Sequence, residues 1–210
     1  MKKTNAEFQQ LSKEKKVEYI WDYYKFHILI ALVAVISVIS IVANAANSKR
    51  VSVYCLIFND TDNTELAKAL DEEYTLYIGD PKSRVLADCN FPFYIEPDGL
   101  VYPEDSTAMK VAAMLPAKQA DVIIGNPDSF AFYSDNEIFL PLEECLSKEL
   151  CSALSPYFVT LGDKPDALDI SGTEFYKKHS ESYSDALLAV TMSVNDPAEA
   201  ERFIRFIFGM

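Results

Sequence analysis

The sequence predicts an α/β layer fold preceded by one transmembrane helix, and three observations predict it. An uncharged run of 21 residues, positions 26–46, separates a basic N-terminal segment from an acidic remainder. Beyond it, strand-like apolar runs alternate with segments of helical period, the pattern of helices layered on a mostly parallel sheet. Caps and turn residues punctuate those segments at the expected places. A chain of 210 residues has room for one domain of ordinary size, roughly 100–200 residues, and one appendage. Its 12% aromatic content excludes disorder, and a net charge of −13 excludes a phosphate-backbone binder, so no nucleic-acid partner is expected.

Residues 1–50 carry eight basic side chains against four acidic ones, whereas residues 51–210 carry 11 against 28. As a helix, positions 26–46 extend about 31 Å, matching a hydrocarbon core of roughly 30 Å. Six lysines precede the run and only Lys49 and Arg50 follow it closely, so the positive-inside bias places the N-terminus in the cytoplasm. Tyr19, Trp21, Tyr23, Tyr24 and Phe26 form an aromatic belt at the cytoplasmic entry. Val17, Ile20, Trp21, Tyr24 and Ile28 recur at helical spacing and extend the span backward. The chain thus divides into a cytoplasmic amphipathic lead-in (1–25), a transmembrane helix in the bilayer (26–46) and an extracytoplasmic α/β domain (47–210) of a single-pass cell-membrane protein. Ala43-Asn-Ala45 also fits a signal-peptidase site, but the long charged lead-in and long apolar run favour an uncleaved anchor.

In the outer domain, residues 51–58 (VSVYCLIF) are apolar on both alternating faces, as in a central strand covered on both sides. Residues 59–63 make a turn, and 64–72 a helix with Leu66, Ala69 and Leu70 inward. Strands are predicted at 74–78 and 91–95, closed by turns at 79–81 and 97–99. A helix over 104–117 buries Ala108, Val111, Ala112 and Leu115. Residues 121–125 (DVIIG) form a short buried strand, and Asn126 caps a helix with Pro127 in its first turn. Residues 143–154 are helical in two pieces. Ser171-Gly-Thr-Glu174 reads as a capping box for a short helix to 178. Residues 186–194 form a strand, and Asp196-Pro-Ala-Glu199 starts a helix presenting Phe203, Ile204, Ile207 and Phe208.

Cys55, Cys89, Cys145 and Cys151 all lie in the outer domain, which permits up to two disulfides in any of three connectivities. There is no C-x-x-C pair, and with His179 as the domain's one histidine a zinc site is poorly supplied. Cys145 and Cys151 are nearest in sequence. Bridging them needs a helix break, which Ser147 can supply by capping a second helix; free thiols are the favoured state.

The candidate ligand site is the strand-to-helix junction Gly125, Asn126, Asp128 and Ser129, where backbone N–H groups, an amide, a hydroxyl and a carboxylate gather beyond a strand's carboxyl end. Helix capping by Asn126 and dipole compensation by Asp128 account for the same residue types. Asp60-Thr-Asp62 with Glu65 lacks the glycine and distal glutamate of an EF-hand and reads as a solvated turn, so no metal is expected. His179, after Lys177 and Lys178, suits a helix C-terminus. No G-x-S-x-G, P-loop or H-E-x-x-H occurs. The expectation is a protein that is not an enzyme and needs no cofactor.

Asp121-Val-Ile-Ile-Gly125, Phe130-Ala-Phe-Tyr133, Phe139-Leu-Pro-Leu142 and Glu144-Cys-Leu146 resemble, in that order, extracytoplasmic solute-binding proteins of the type 2 periplasmic-binding fold. Leu187-Leu-Ala-Val-Thr-Met-Ser-Val-Asn195 with the following helix is similar to that family's closing strand and helix, so the resemblance covers about residues 104–208. The lead-in Tyr19-Ile-Trp-Asp-Tyr-Tyr-Lys-Phe-His27 looks like the tether of single-span Gram-positive membrane proteins. Family members close two lobes on a ligand, whereas roughly 160 outer residues make one lobe. The resemblance implies a reduced, membrane-anchored binding or sensing module for a small molecule. The alternative is an interaction or structural domain with a membrane-protein partner and no small ligand.

Overall fold

The structure, a computed structural model, describes residues 12–47, 49–60, 64–97, 99–134, 136, 138–180 and 184–210. Residues 1–11 of the lead-in, 61–63 of the acidic turn and Asp98 lie outside the described residues, as do the side chains of Tyr19, Ile20, Tyr23 and Ala45. The chain divides into two compact units, Met1–Ser48 and Lys49–Met210.

Among the described residues of the first unit, one helix, α1 (Lys13–Asn47), runs for 35 residues. No glycine or proline interrupts it, so nothing in its sequence breaks the hydrogen-bond ladder. Its segment Tyr24–Ala43 is long and apolar enough to cross a membrane, and fits a membrane span or a signal sequence alike.

The second unit runs β1 (Arg50–Ile57), α2 (Thr64–Ile78), β2 (Ser83–Asp88), β3 (Phe93–Ile95), β4 (Val101–Pro103), α3 (Asp105–Met114), β5 (Val122–Gly125) and α4 (Pro127–Ser134). It continues through α5 (Leu142–Cys145), α6 (Lys148–Leu154), a 3₁₀ turn, β6 (Phe158–Thr160), β7 (Pro165–Asp169), α7 (Glu174–His179), β8 (Leu187–Val190) and α8 (Pro197–Ile207). Six strands form one sheet in the order β2-β1-β5-β8-β7-β6, and β3 pairs with β4 in a separate hairpin.

The expected mostly parallel sheet is corrected to a mixed one. β1 is parallel to β2 and to β5, but β5–β8, β8–β7 and β7–β6 are antiparallel. The reason lies in the connections. β6 and β7 are joined by a tight turn, which allows only antiparallel pairing. β7 and β8 are joined across one edge of the sheet, where Asp169 faces Leu187 and the Ile170 N–H donates to the Ala186 carbonyl at 2.9 Å.

Strand alternation splits the core in two. Val53, Cys55 and Ile57 of β1, with Val122, Ile124, Leu188 and Val190, face α2, α5, α6, α7 and α8. Leu56 and Phe58, with Ile123, Leu187 and Ala189, face Val111 of α3 and Phe130 and Tyr133 of α4. The central strand is thus covered on both sides, as its two apolar faces require. α8 buries Ala200, Phe203, Ile204, Phe206 and Ile207; its N-cap Asp196 accepts from the Ala198 N–H at 3.0 Å, and Phe208 is only partly buried.

Four expectations change. Residues 74–78 are the last turns of α2, not a strand: Tyr74 continues the Leu66–Leu70 stripe and packs against Phe203 and Phe206, with ring centroids 5.5 and 5.4 Å away. Gly79, at φ +73°, then ends the helix in a conformation that costs glycine little. The strand expected at 91–95 is the short β3, outside the main sheet, while β2, β4, β6 and β7 had no sequence counterpart. Thr173 rather than Ser171 caps α7, accepting from the Tyr176 N–H at 3.2 Å; Ser171 instead donates to Asp169. The strand at 186–194 stops at Val190, because Thr191 makes only an isolated bridge to Phe139.

Asp121, buried before β5, accepts from the Tyr54 N–H at 2.8 Å, and from the Asn195 N–H and side-chain amide at 2.7 and 3.0 Å. Replacing it with alanine leaves these donors unpaired, at a cost of about 3 kcal/mol. The urea midpoint of Asp121→Ala is expected to fall accordingly, and Asp121→Asn, which keeps one acceptor oxygen, to lose less.

Candidate functional site

The path of the chain around β1 locates a crevice. The β1-to-β2 connection passes over one face of the sheet, because α2 packs in the cluster of Val53, Cys55 and Ile57. The route from β2 to β5 passes over the other, because α3 packs in the cluster of Leu56, Phe58 and Ile123. Connections therefore leave in opposite senses between the neighbouring parallel strands β1 and β5. In open α/β sheets, ligands bind beyond the carboxyl ends of strands at such a reversal. Gly125 and Asn126 stand at the end of β5, directly at this point.

The four predicted residues divide in their roles. Asn126 Oδ1 accepts from the Ser129 N–H at 3.1 Å, and Ser129 Oγ donates to the Asn126 carbonyl at 2.8 Å, so these two close the first turn of α4 on each other. Ser129 is fully buried. Gly125 is needed for space: a Cβ there would lie 2.7 Å from Ser129 Oγ, 3.0 Å from Phe130 and 3.1 Å from Phe58. Asp128 is the exposed one of the four. It lines a groove of about 390 Å³ between α4 and the β3–β4 hairpin, together with Leu100, Tyr102, Phe132 and Asn136. The Tyr102 and Phe132 rings meet edge to face at 5.9 Å. An aromatic wall with one carboxylate and one amide suits a neutral or cationic ligand with an apolar face.

Several polar residues near the same strand ends escaped sequence reasoning. Asn59, just past β1, holds a left-handed φ of 55°, and its N–H donates to the Phe91 carbonyl at 2.9 Å. At the end of β2, Asp88 accepts from Lys110 Nζ at 2.7 Å, and that ammonium also reaches the Asn90 carbonyl and lies over the Phe91 ring at 4.2 Å. The signal available in the sequence was the polar run after each apolar strand; what it lacked was the pairing that aligns their ends.

Two other cavities lie apart from these strand ends. One of about 620 Å³ opens among α2, α7 and α8. Two of its charged groups pair with each other and with a neighbouring histidine: Glu73 Oε1 accepts from Lys178 Nζ at 2.7 Å and contacts His179 Nε2 at 2.9 Å. The Lys178 hydrogen bond, with help from His179, holds the Glu73 carboxyl below the usual carboxylate range. The other, about 480 Å³, lies at the opposite edge of the sheet, beside Asp166 and Met192. Among the described residues no cluster of histidine, cysteine and carboxylate side chains has the makings of a metal site.

No protein-family model and no curated protein matches the chain. A solved structure described as an extracellular solute-binding protein family 1, from Alicyclobacillus acidocaldarius subsp. acidocaldarius DSM 446, aligns with 58% of this chain at 12% identity and a TM-score of 0.37. The aligned part spans 28% of that protein's length. At this distance the likeness says nothing of ligand or partner.

Gly125→Ala is expected to destabilise the domain by about 2 kcal/mol, the cost of overpacking a filled junction. A thermal or urea melt of the purified protein measures it. Adding Ser129→Ala, which removes the closest of the three contacts, is expected to recover part of the loss.

Proposed function

We propose that the chain is a membrane-tethered binding module, with residues 47–210 outside the cell as a single lobe of the solute-binding kind. The observation that carries this reading is the reversal between β1 and β5, with Asp128 opening into an aromatic-walled groove beside it. The ligand is small, neutral or cationic: Asp128 and the Asn136 amide supply the polar contacts, and the Tyr102 and Phe132 rings an apolar face. The module binds without turning its ligand over. His179, the one histidine beyond the span, is engaged with Glu73, far in sequence from the junction. Anchoring by residues 26–46 rests on the length and composition of that segment and on the lysines before it.

A second reading has its own support. On the hairpin and α3, Ile95 and Met109 are both 72% exposed and Leu100 is 55% exposed. Such apolar exposure beside the groove fits a protein-interaction surface in place of a small-ligand site.

Two measurements test these readings. With an epitope appended after Met210, antibody is expected to label intact cells, and intact-mass analysis to find the chain uncleaved at Ala45. Labelling only after permeabilisation overturns the orientation. The second measurement is a thermal-shift panel of sugars, amines, amino acids and short peptides on the full chain in detergent. Saturation at 100-fold above Kd adds about 2.7 kcal/mol, a melting rise of roughly 5–10 °C for a domain of this size. Asp128→Ala is expected to abolish the rise while leaving the unliganded melting point nearly unchanged. Silence across the panel favours the interaction domain.

A further inference from the structure

α5 and α6 form an elbow. α5 ends at Cys145, Leu146 is extended at φ −108° and ψ 148°, and Ser147 caps α6 by accepting from the Leu150 N–H. In an unbroken helix, nine residues would carry the chain about 13 Å along the axis. The elbow instead folds back, so that Cys151 Sγ donates to the Leu142 carbonyl at 3.7 Å, where Cys145 Sγ donates at 3.6 Å. Two sulfurs held against one oxygen lie no farther apart than those two contacts together. Cys151 also lies close enough to act electrostatically on the Cys145 thiol. Cys145 is buried and Cys151 half-buried, which leaves one sulfur open to a reagent and the other waiting behind it.

We propose that Cys145 and Cys151 are a redox pair, converted by a disulfide-bearing oxidant into an intramolecular disulfide that locks the α5–α6 elbow. Cys151 loses its proton to solvent, and its thiolate attacks one sulfur of the oxidant. The oxidant's other sulfur leaves and takes up a proton. Cys145 then loses its proton to solvent, its thiolate attacks the Cys151 sulfur of the mixed disulfide, and the second oxidant sulfur leaves and takes up a proton to become a thiol. Two protein thiols are oxidised, and one oxidant disulfide is reduced to two thiols.

The surroundings set the character of the bridge. Burial pushes the Cys145 thiol up to about 12, and burial with Glu143 and Glu201 nearby raises Cys151. A thiol kept from ionising reacts slowly, so closure quickens at mildly alkaline pH. The same lack of thiolate stabilisation in the reduced form makes the bridge resistant to reduction once formed. Cys55 lies wholly inside β1, where burial and the Asp121 carboxylate push its thiol up. It takes no part. This chemistry stands apart from the ligand-binding reading.

The test uses the full chain in detergent, incubated with oxidised glutathione, denatured, alkylated with N-ethylmaleimide and weighed intact. Two of the four cysteines are expected to escape alkylation, with a mass loss of two hydrogens. Peptide mapping is expected to join Cys145 to Cys151. Cys151→Ser is expected to leave its three remaining cysteines alkylated. Four alkylated cysteines in the oxidised wild type, a glutathione adduct stalled on Cys151, or a bridge that includes Cys55 or Cys89 overturns the proposal.

Discussion

Asp121 is a carboxylate almost out of reach of water, and donors from two distant parts of the chain converge on it. One is the backbone N–H of Tyr54 in β1; the others belong to Asn195, just before α8. Its own carbonyl accepts from the Thr191 N–H, past the end of β8. The preceding residue, Ala120, offers its carbonyl to the hydroxyls of Thr191 and Ser193. β1, β5 and β8 are apolar on both faces, so the polar backbone beyond the ladder has few partners except at strand ends. An unpaired buried donor is costly, and this knot of side chains prevents it at the end where three strands meet. The register that places Leu56 and Ile123 on one face and Cys55 and Val122 on the other depends on that end being fixed.

How much of the fold was legible depended on whether a segment's structure is decided locally. α8 was: Asp196, Pro197 and a clean apolar stripe specify start and face without reference to anything distant. The two-piece helix around Ser147 was too. Residues 74–78 were not, because their aromatic and β-branched side chains suit a strand, and the contacts that Tyr74 makes with Phe203, Phe206 and Glu199 as part of the helix come from far along the chain. The β6–β7 hairpin begins its second strand with a proline and has an aspartate next to it. Asp166 is buried there because it accepts from the Leu161 and Gly162 N–H groups across the turn, a contact no periodicity announces.

The junction after β5 was legible for the same local reason, since Asn126 and Ser129 bond to each other within one turn. Its neighbours were not. Asn59, Asp88 and Asn90 come level with Gly125 only because β1 pairs in parallel with both β2 and β5. Parallel pairing joins residues separated by a whole crossover, and short-range pattern carries no trace of it. Asp128 sits between the two cases. Its place in the first turn of α4 was readable, but the groove beside it exists because a hairpin from another part of the chain stands opposite.

The position of β8 has a consequence for how this chain comes into being. It occupies the middle of the sheet, between β5 and β7, yet it lies close to the C-terminus, and α8 follows it. A chain emerging N-terminus first has made β1, β2 and β5 long before the strand that covers the open edge of β5 exists. Until residues 187–190 arrive, that edge is a template for any other extended segment nearby. The domain therefore completes its sheet only once residues 187–190 have been made. Through that interval, keeping the growing chain apart from other extended segments favours the native pairing.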